Sequence, residues 1–384
     1  MAVYFALAAI IGLYGTAIHA NTDQRRRKRF VIVAFVLMIL LAGLRSPSVG
    51  IDIPNHYAKN FVRIASFSLT DVPKFSAMGN YEIGYCYYTW FLNLVSHEIQ
   101  FYIFITELLI YSAIGYFIYK ESTDVVMSTE LVIFSCLYYM CMNIMRQGLA
   151  VAIILVGYVW LDYSNRRIKD YIKFAILIFL ASTFHSSAIL CLLMIVFDRL
   201  KFTRKQIIGG GVITVLLYEF YMQIYVGILE ILGSSNYERY LTGSESMGNM
   251  NMQSIFNFIL TVGAFAIGYY VLVWKKKTVK TLLINDKNEY QLQANESFML
   301  FMVLIASVCR LLLFRMNIIN RFTYYFIPFV LVLYPYAIDS MQLKSNRTIV
   351  RMLVYGLFFI YFLWMTTTYA ASFYGAVPYS FYWQ

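Results

Sequence analysis

The sequence predicts an all-α, polytopic integral membrane protein, and three observations carry that prediction. Of 384 residues, 60% are hydrophobic and 13% charged, against about 45–50% and about 25% in an ordinary soluble domain, so polar surface is too scarce to cover a water-facing globule of this size. The apolar residues come in long unbroken runs and not in the ~10-residue alternating stretches of a transmembrane β-barrel. The basic residues, which give a formal charge of +11, sit in short tracts between those runs, where they set orientation. The block Arg25-Arg26-Arg27-Lys28-Arg29 therefore reads as a topological signal, and no nucleic-acid partner is expected.

Apolar runs near 1–18, 30–44, 99–119, 131–143, 147–162, 172–184, 187–197, 206–231, 254–274, 297–314, 322–338 and 352–369 give about twelve crossings, within bounds of ten to fourteen. The first is read as an uncleaved helix, because the basic cluster follows it where a signal peptide would have it precede. A full span needs about 20 residues. The four runs between 131 and 197 are shorter, and form two broken hairpins interrupted by Met145-Arg146-Gln147 and by His185-Ser186-Ser187. Segment 82–98 is apolar but has charged ends and about half the span length on a ~1.5 Å rise, which makes it interfacial or re-entrant. Six connecting segments assigned to the cytoplasmic side carry 22 of the 31 Lys and Arg, so both termini fall outside. Residues 1–384 form a single transmembrane domain on this reading. Its two long extracytoplasmic loops, 45–81 and 232–253, exceed the ~12–15 residues of a plain connector, and the basic cytoplasmic loop 275–296 suits an anionic lipid surface. Gly209-Gly210-Gly211 is read as a site of close helix packing. The five scattered cysteines contain no C-x-x-C pair and are read as small buried hydrophobes.

No residue spacing suggests a metal site or a cofactor, and none is expected. The nine basic residues outside the cytoplasmic tracts include seven arginines: Arg45, Arg63, Arg146, Arg239, Arg310, Arg315 and Arg321. Arginine offers a planar fork of donors suited to phosphate, so this gathering implies an anionic ligand. Arg146 is the sharpest case, because it interrupts an apolar hairpin and charge at membrane depth is expensive. His185 occupies the other hairpin break, and its ordinary pKa near 6.5 suits a general base for a hydroxyl. Asp52 is the alternative base. Asp52 and Glu82 flank the first outer loop and equally suit ion pairs with Arg45 or Arg63. Glu107 and Glu219 lie inside apolar runs without a partner evident in the sequence, and are read chiefly as structural. Tyrosines such as Tyr81 and Tyr85 suit an interface belt, and some suit stacking on sugar rings.

An ordered set of short motifs runs along the chain: Gly43-Leu44-Arg45, Gly50-x-Asp52 with Tyr57, Glu82-x-Gly84-Tyr85, Arg146-Gln147-x-Leu149-Ala150, Phe184-His185-Ser186-Ser187-Ala188 and Val377-Pro378-Tyr379. Together they resemble the EpsG family of bacterial exopolysaccharide and capsule polymerases, similar in role to the Wzy O-antigen polymerases. The resemblance implies a GT-C-like architecture and an inverting, metal-independent glycosyltransferase on the outer face of the bacterial cytoplasmic membrane. Such an enzyme moves a growing glycan from undecaprenyl diphosphate onto the non-reducing end of an undecaprenyl-diphosphate-linked repeat unit. Membrane lipids, a chain-length-regulating copolymerase and a flippase are the partners it implies. In that setting His185, Asp52 and Arg146 are the catalytic candidates. Arg146, Arg321, Arg315 and Arg45 are the diphosphate ligands, and Glu82, Tyr85, Gln147, Tyr237 and Tyr240 are the glycan contacts. Two other readings are a ligase that transfers finished polymer to a different acceptor, and a lipid-linked oligosaccharide flippase or transporter.

Overall fold

The computed structural model describes residues 1–161, 167–223, 226, 250–275, 294–315, 317, 319–372 and 374–384. Among these residues the regular structure is helical, with one isolated antiparallel bridge between Arg45 and Phe381. The chain divides into two compact units, residues 1–192 with 352–384, and residues 193–351.

The first unit is built on long antiparallel helices. Helix α1 (Ala2–Ala17) leads to α2 (Gln24–Gly43), whose start is fixed by Asp23: its carboxylate accepts the Arg26 backbone N–H at 2.8 Å and satisfies one of the donors orphaned at a helix N-terminus. At 20 residues and ~1.5 Å each, α2 is about 30 Å long, the thickness of a bilayer's hydrocarbon core. Segment 45–81 is not an irregular loop. It folds into a π-helical turn (Ile53–Tyr57), α3 (Ala58–Ile64), a 3₁₀ turn (Leu69–Asp71) and α4 (Val72–Gly79). Pro54 and Pro73 open two of these elements, where a missing N–H costs nothing. Helix α5 (Ile83–Val95) is 13 residues long, about 20 Å. It is followed by α6 (Ile99–Glu121), α7 (Val125–Phe134), α8 (Leu137–Asn143), α9 (Met145–Val159) and α10 (Ile168–Ser182). Beyond α10 a 3₁₀ helix (Ser186–Cys191) leads into α11 (Leu192–Arg199), which belongs to the second unit from Leu193 on.

The two ends of this unit differ in chemistry. At one end the basic tract meets the C-terminus of α6, where Arg27 donates to the carbonyls of Tyr119, Ser122 and Thr123; a cation there complements the helix dipole. Asn21 bridges to the same corner through Asp124 and the Val125 N–H. At the opposite end of α2 lie Arg45, the short helices of 45–81, the breaks that precede α9 and the 3₁₀ helix, and the chain's last residues. Residues 374–384 lie against the end of α2. The Tyr379 hydroxyl donates to Leu41 O, Ser46 N–H to Ser380 O, Tyr382 N–H to Leu44 O and Gly50 N–H to Gly375 O.

Helices α7 and α8 are bent 58° apart at Ser135-Cys136, with Cys136 in the left-handed region at φ +60°. The first hairpin is thus interrupted there as well as at Ile144, beside the polar triplet. The second unit contains α12 (Arg204–Glu219), α13 (Met252–Tyr269), α14 (Ala294–Leu312), α15 (Ile319–Thr323) and α16 (Ile327–Asp339); α17 (Lys344–Trp364) continues into the first unit. Among the described residues nothing lies within 4 Å of where a Cβ at Gly209 or Gly211 would stand, and Leu304 Cδ2 lies 3.9 Å from that place at Gly210. Among the described residues four helical stretches, Ile99–Glu121, Met252–Trp274, Asn295–Leu312 and Lys344–Tyr369, are long and apolar enough to cross a bilayer, and the bent α7–α8 pair makes a fifth if its two helices form one span. Large apolar side chains such as Leu13, Ile168, Ile208 and Met352 lie two-thirds or more exposed, as lipid contact requires. The protein is a helical, polytopic membrane protein.

Candidate functional site

The site is assembled at the end of the first unit opposite the basic tract, and it begins with the break before α9. Helix α8 stops at Asn143, and Arg146 is the second residue of α9. A cation in the first turn of a helix is opposed by the helix dipole, so this arginine needs an anion. Glu82 supplies it: Arg146 Nη1 lies 2.6 Å from Glu82 Oε2, the two side chains being 28% and 19% exposed. The guanidinium also lies over the rings of Tyr81 and Tyr85, 5.6 and 5.3 Å from their centroids, within cation–π range. Charge is thus held at the rim with one side still open.

The other oxygen of Glu82 reaches the second break. Its Oε1 accepts the Ser186 backbone N–H at 3.2 Å, the first residue of the 3₁₀ helix. Two further contacts tie α5 to this break. The Tyr85 N–H donates to Thr183 O at 3.1 Å. A Cβ at Gly84 would overlap Thr183 Oγ1 and stand 2.7 Å from Thr183 Cβ, so only glycine allows the approach. In Glu82-x-Gly84-Tyr85 the glutamate therefore makes the ion pair, the glycine permits the close approach, and the tyrosine places a ring under the guanidinium. His185 itself is in extended backbone (φ −153°, ψ 113°), almost buried at 8% exposure, with Nδ1 hydrogen-bonded to the Ser187 hydroxyl at 2.6 Å.

Asp52 joins from the first outer segment. Its backbone N–H donates to Asn143 Oδ1 at 3.0 Å, at the residue that ends α8. Beyond it Tyr57 is buried, and its hydroxyl accepts the Arg146 backbone N–H at 3.3 Å. Burial pushes the Tyr57 phenol well above its ordinary range; the nearby Arg146 charge opposes that shift and Asp52 adds to it. Tyr57 therefore stays protonated. The N-termini of α5, α9 and the 3₁₀ helix converge on the Glu82–Arg146 pair, and helix N-termini favour negative charge.

Arg146 and Glu82 are thus paired, and the segments that carry His185 and Asp52 are tied next to them through the Ser186 N–H and through Asn143, while other expected site residues are placed differently. Arg45, expected among the diphosphate ligands, is fully buried. Its side chain donates to Ala42 O, Val49 O and Met142 O and pairs with Glu107 at 2.7 Å, also fully buried. It is a frame residue, because all of its charge is committed where no ligand reaches. Glu107, without an evident partner in the sequence, has Arg45. Gln147 is 2% exposed and Tyr85 is fully buried, so neither offers a surface to a glycan; Tyr85 instead supports Arg146. Arg315 and Arg321 belong to the second unit. Arg315 lies 4.6 Å over the ring of Tyr218, and Arg321 lies exposed in α15. In the same unit Arg310 donates to Asn320 Oδ1 at 2.7 Å. Tyr237 and Tyr240 lie outside the described residues. Among the described residues, no three His, Cys, Asp or Glu side chains gather so as to hold a metal ion.

Sequence reasoning gave Tyr57 no role of its own, and it missed Thr183 and the support that Tyr81 gives Arg146. The last was legible in principle, since an aromatic beside Glu82 and Gly84 lies at the start of the same helix. Thr183 was not, because its role is set by a backbone approach from a distant segment. No curated protein and no solved structure shows significant similarity to the chain. A family model described as the EpsG family matches residues 28–381, nearly the whole chain and every motif assembled here; the protein belongs to the EpsG family of Wzy-like polysaccharide polymerases.

Proposed function

We propose that the protein elongates a bacterial exopolysaccharide by transferring the growing glycan from undecaprenyl diphosphate to the non-reducing sugar of an undecaprenyl-diphosphate-linked repeat unit. The observation that carries this reading is the Arg146 guanidinium, its side chain about a quarter exposed, seated on Tyr81 and Tyr85 at a convergence of helix N-termini. A lipid-borne diphosphate is an anion that arrives at membrane depth, and such a cradle suits it.

In the proposed step an acceptor hydroxyl attacks the anomeric carbon of the donor glycan, the bond from that carbon to the diphosphate oxygen breaks, and the carrier leaves with the electron pair. A single displacement of this kind inverts the anomeric centre. Arg146 stabilises the charge that grows on the departing diphosphate, which is where preorganised donors contribute most, and the reading needs no metal ion. His185, steered by the Ser187 hydroxyl, takes the acceptor proton, with Asp52 as the alternative base. Arg315 and Arg321 of the second unit are assigned to diphosphate recognition by residue type and by their place between apolar runs. Tyr237 and Tyr240 are assigned to the glycan.

The same reading places the site on the outer face of the cytoplasmic membrane, with about twelve crossings and both termini outside. A flippase then supplies the repeat unit and a copolymerase limits chain length. The deciding experiment uses purified full-length protein in detergent with lipid-linked repeat units. Elongated lipid-linked glycan is the expected product. Transfer to an acceptor other than a repeat unit would indicate a ligase, and no bond formation at all would indicate a flippase. In cells, Arg146→Ala is expected to abolish the chain-length ladder at normal protein level; an intact ladder would overturn the proposal.

A further inference from the structure

We infer that Glu82 is a positioning residue whose carboxylate holds the two hairpin breaks in one frame, so that Arg146 and the His185–Ser187 turn face the same ligand. The inference rests on the polymerase reading above for its catalytic consequence, and on geometry alone for the bridge.

The two oxygens of Glu82 are divided between different segments. Oε2 holds the Arg146 guanidinium at 2.6 Å, and Oε1 holds the Ser186 N–H at 3.2 Å. Arg146 and Ser186 are 40 residues apart and sit on separate chain interruptions, neither of which is stiffened by a helix running through it. Helices α9 and α10 pack on each other, but Arg146 stands in the first turn of α9, directly after the break at Ile144, and Ser186 lies beyond the end of α10. Glu82 is suited to span them because it stands at the N-cap of α5, and α5 is itself pinned to the second break by the Gly84 approach and the Tyr85 N–H. Its own backbone is thereby fixed, and the carboxylate becomes a rigid link. A carboxylate given on one side to a guanidinium and on the other to a backbone amide has both oxygens engaged by the protein, which favours positioning over direct contact with acceptor sugars. Misplacement of a reacting group by about 1 Å costs on the order of 100-fold in rate.

The test uses the full-length protein in detergent and the variants Glu82→Ala and Glu82→Gln, with two readouts. The first is amide hydrogen exchange in peptides covering 184–188. Glu82→Ala is expected to speed exchange at Ser186 by about tenfold or more, while Glu82→Gln, which keeps an acceptor oxygen but loses the charge, retains most of the protection. The second is steady-state elongation of lipid-linked repeat units. Glu82→Ala is expected to lower kcat by about 100-fold with the acceptor KM within about twofold, and Glu82→Gln to fall between it and the parent. Unchanged exchange at Ser186 in Glu82→Ala overturns the bridge. A raised acceptor KM with kcat intact overturns the positioning role in favour of sugar contact. Loss of folded protein in Glu82→Ala transfers the decision to Glu82→Gln, whose kcat must fall while its melting behaviour stays that of the parent. If the parent itself fails to elongate, the polymerase reading falls, and hydrogen exchange still decides the bridge.

Discussion

Two arginine–glutamate pairs lie at the same end of the first unit and do opposite things. Arg45–Glu107 is completely buried, with the guanidinium also given to three backbone carbonyls. Arg146–Glu82 is about a quarter exposed on the arginine and a fifth on the glutamate, and it rests on tyrosine rings. The closed pair joins the end of α2 to α6 and to the carbonyl of Met142 beside the first break, so it fixes the frame. The open pair presents charge at the rim, where an incoming anion competes for it. Residue type alone does not separate an arginine that builds a protein from one that serves it; the depth at which its partner sits does.

The largest effect should come from breaking the closed pair. Arg45→Ala leaves Glu107 buried without its cation, at a cost of about 3–5 kcal/mol, and should appear as lost folded protein in detergent. Arg45→Met with Glu107→Leu should recover most of that stability, since a buried pair replaced by apolar groups is often neutral. Had Arg45 been a ligand for diphosphate, the double variant would fold and fail to elongate.

Arg146→Ala should do the reverse. Elongation should drop by about 10²–10³-fold, as on removing an oxyanion donor, while thermal unfolding shifts by no more than about 1 kcal/mol. A large stability loss in this variant would erase the contrast between the pairs. Truncation after Ala376 removes the bonds made by Tyr379, Ser380 and Tyr382 to the end of α2 and the segment after it. At about 0.5–1.5 kcal/mol each, the three contribute about 1.5–4.5 kcal/mol. Limited proteolysis of segment 45–81 should report their loss.

Gly84→Ala should cost about 1–3 kcal/mol by overpacking against Thr183 and should lower elongation with it, because α5 is pushed off the second break. Thr183→Gly in the same chain should restore part of both. The smallest effect belongs to a third pair, Asp71–Lys74, at 2.7 Å on the exposed face of the outer segment. Lys74→Ala should leave the melting temperature and elongation unchanged within error, and it serves as the reference for exposure.

Much of this was legible in the sequence, for identifiable reasons. Breaks at 145–147 and 185–187 were visible because a polar residue inside an apolar run is costly and must have a purpose, and Arg146 and His185 stood out on that ground. Segment 82–98 was expected to be interfacial or re-entrant for its charged ends and its length, and the helix it forms, α5, has 13 residues. Arg45 was misassigned because a basic residue at the end of an apolar run looks the same whether it turns outward or inward. Glu107 held the missing signal: a charge isolated inside the apolar run of α6, a helix that packs against α2, with the opposite charge just past the end of α2.

The amino-acid order alone determined that the chain is helical and lives in lipid, because scarcity of polar residues and the length of apolar runs are properties of composition and spacing. It also determined which residue types were out of place. Only the folded chain decided which of those meet. Pairing Glu82 with Arg146 and Ser186, and Arg45 with Glu107, depends on separations of 64, 104 and 62 residues. Contacts at such distances follow from how helices pack, and packing depends on side-chain shapes across the whole unit, which no local pattern records.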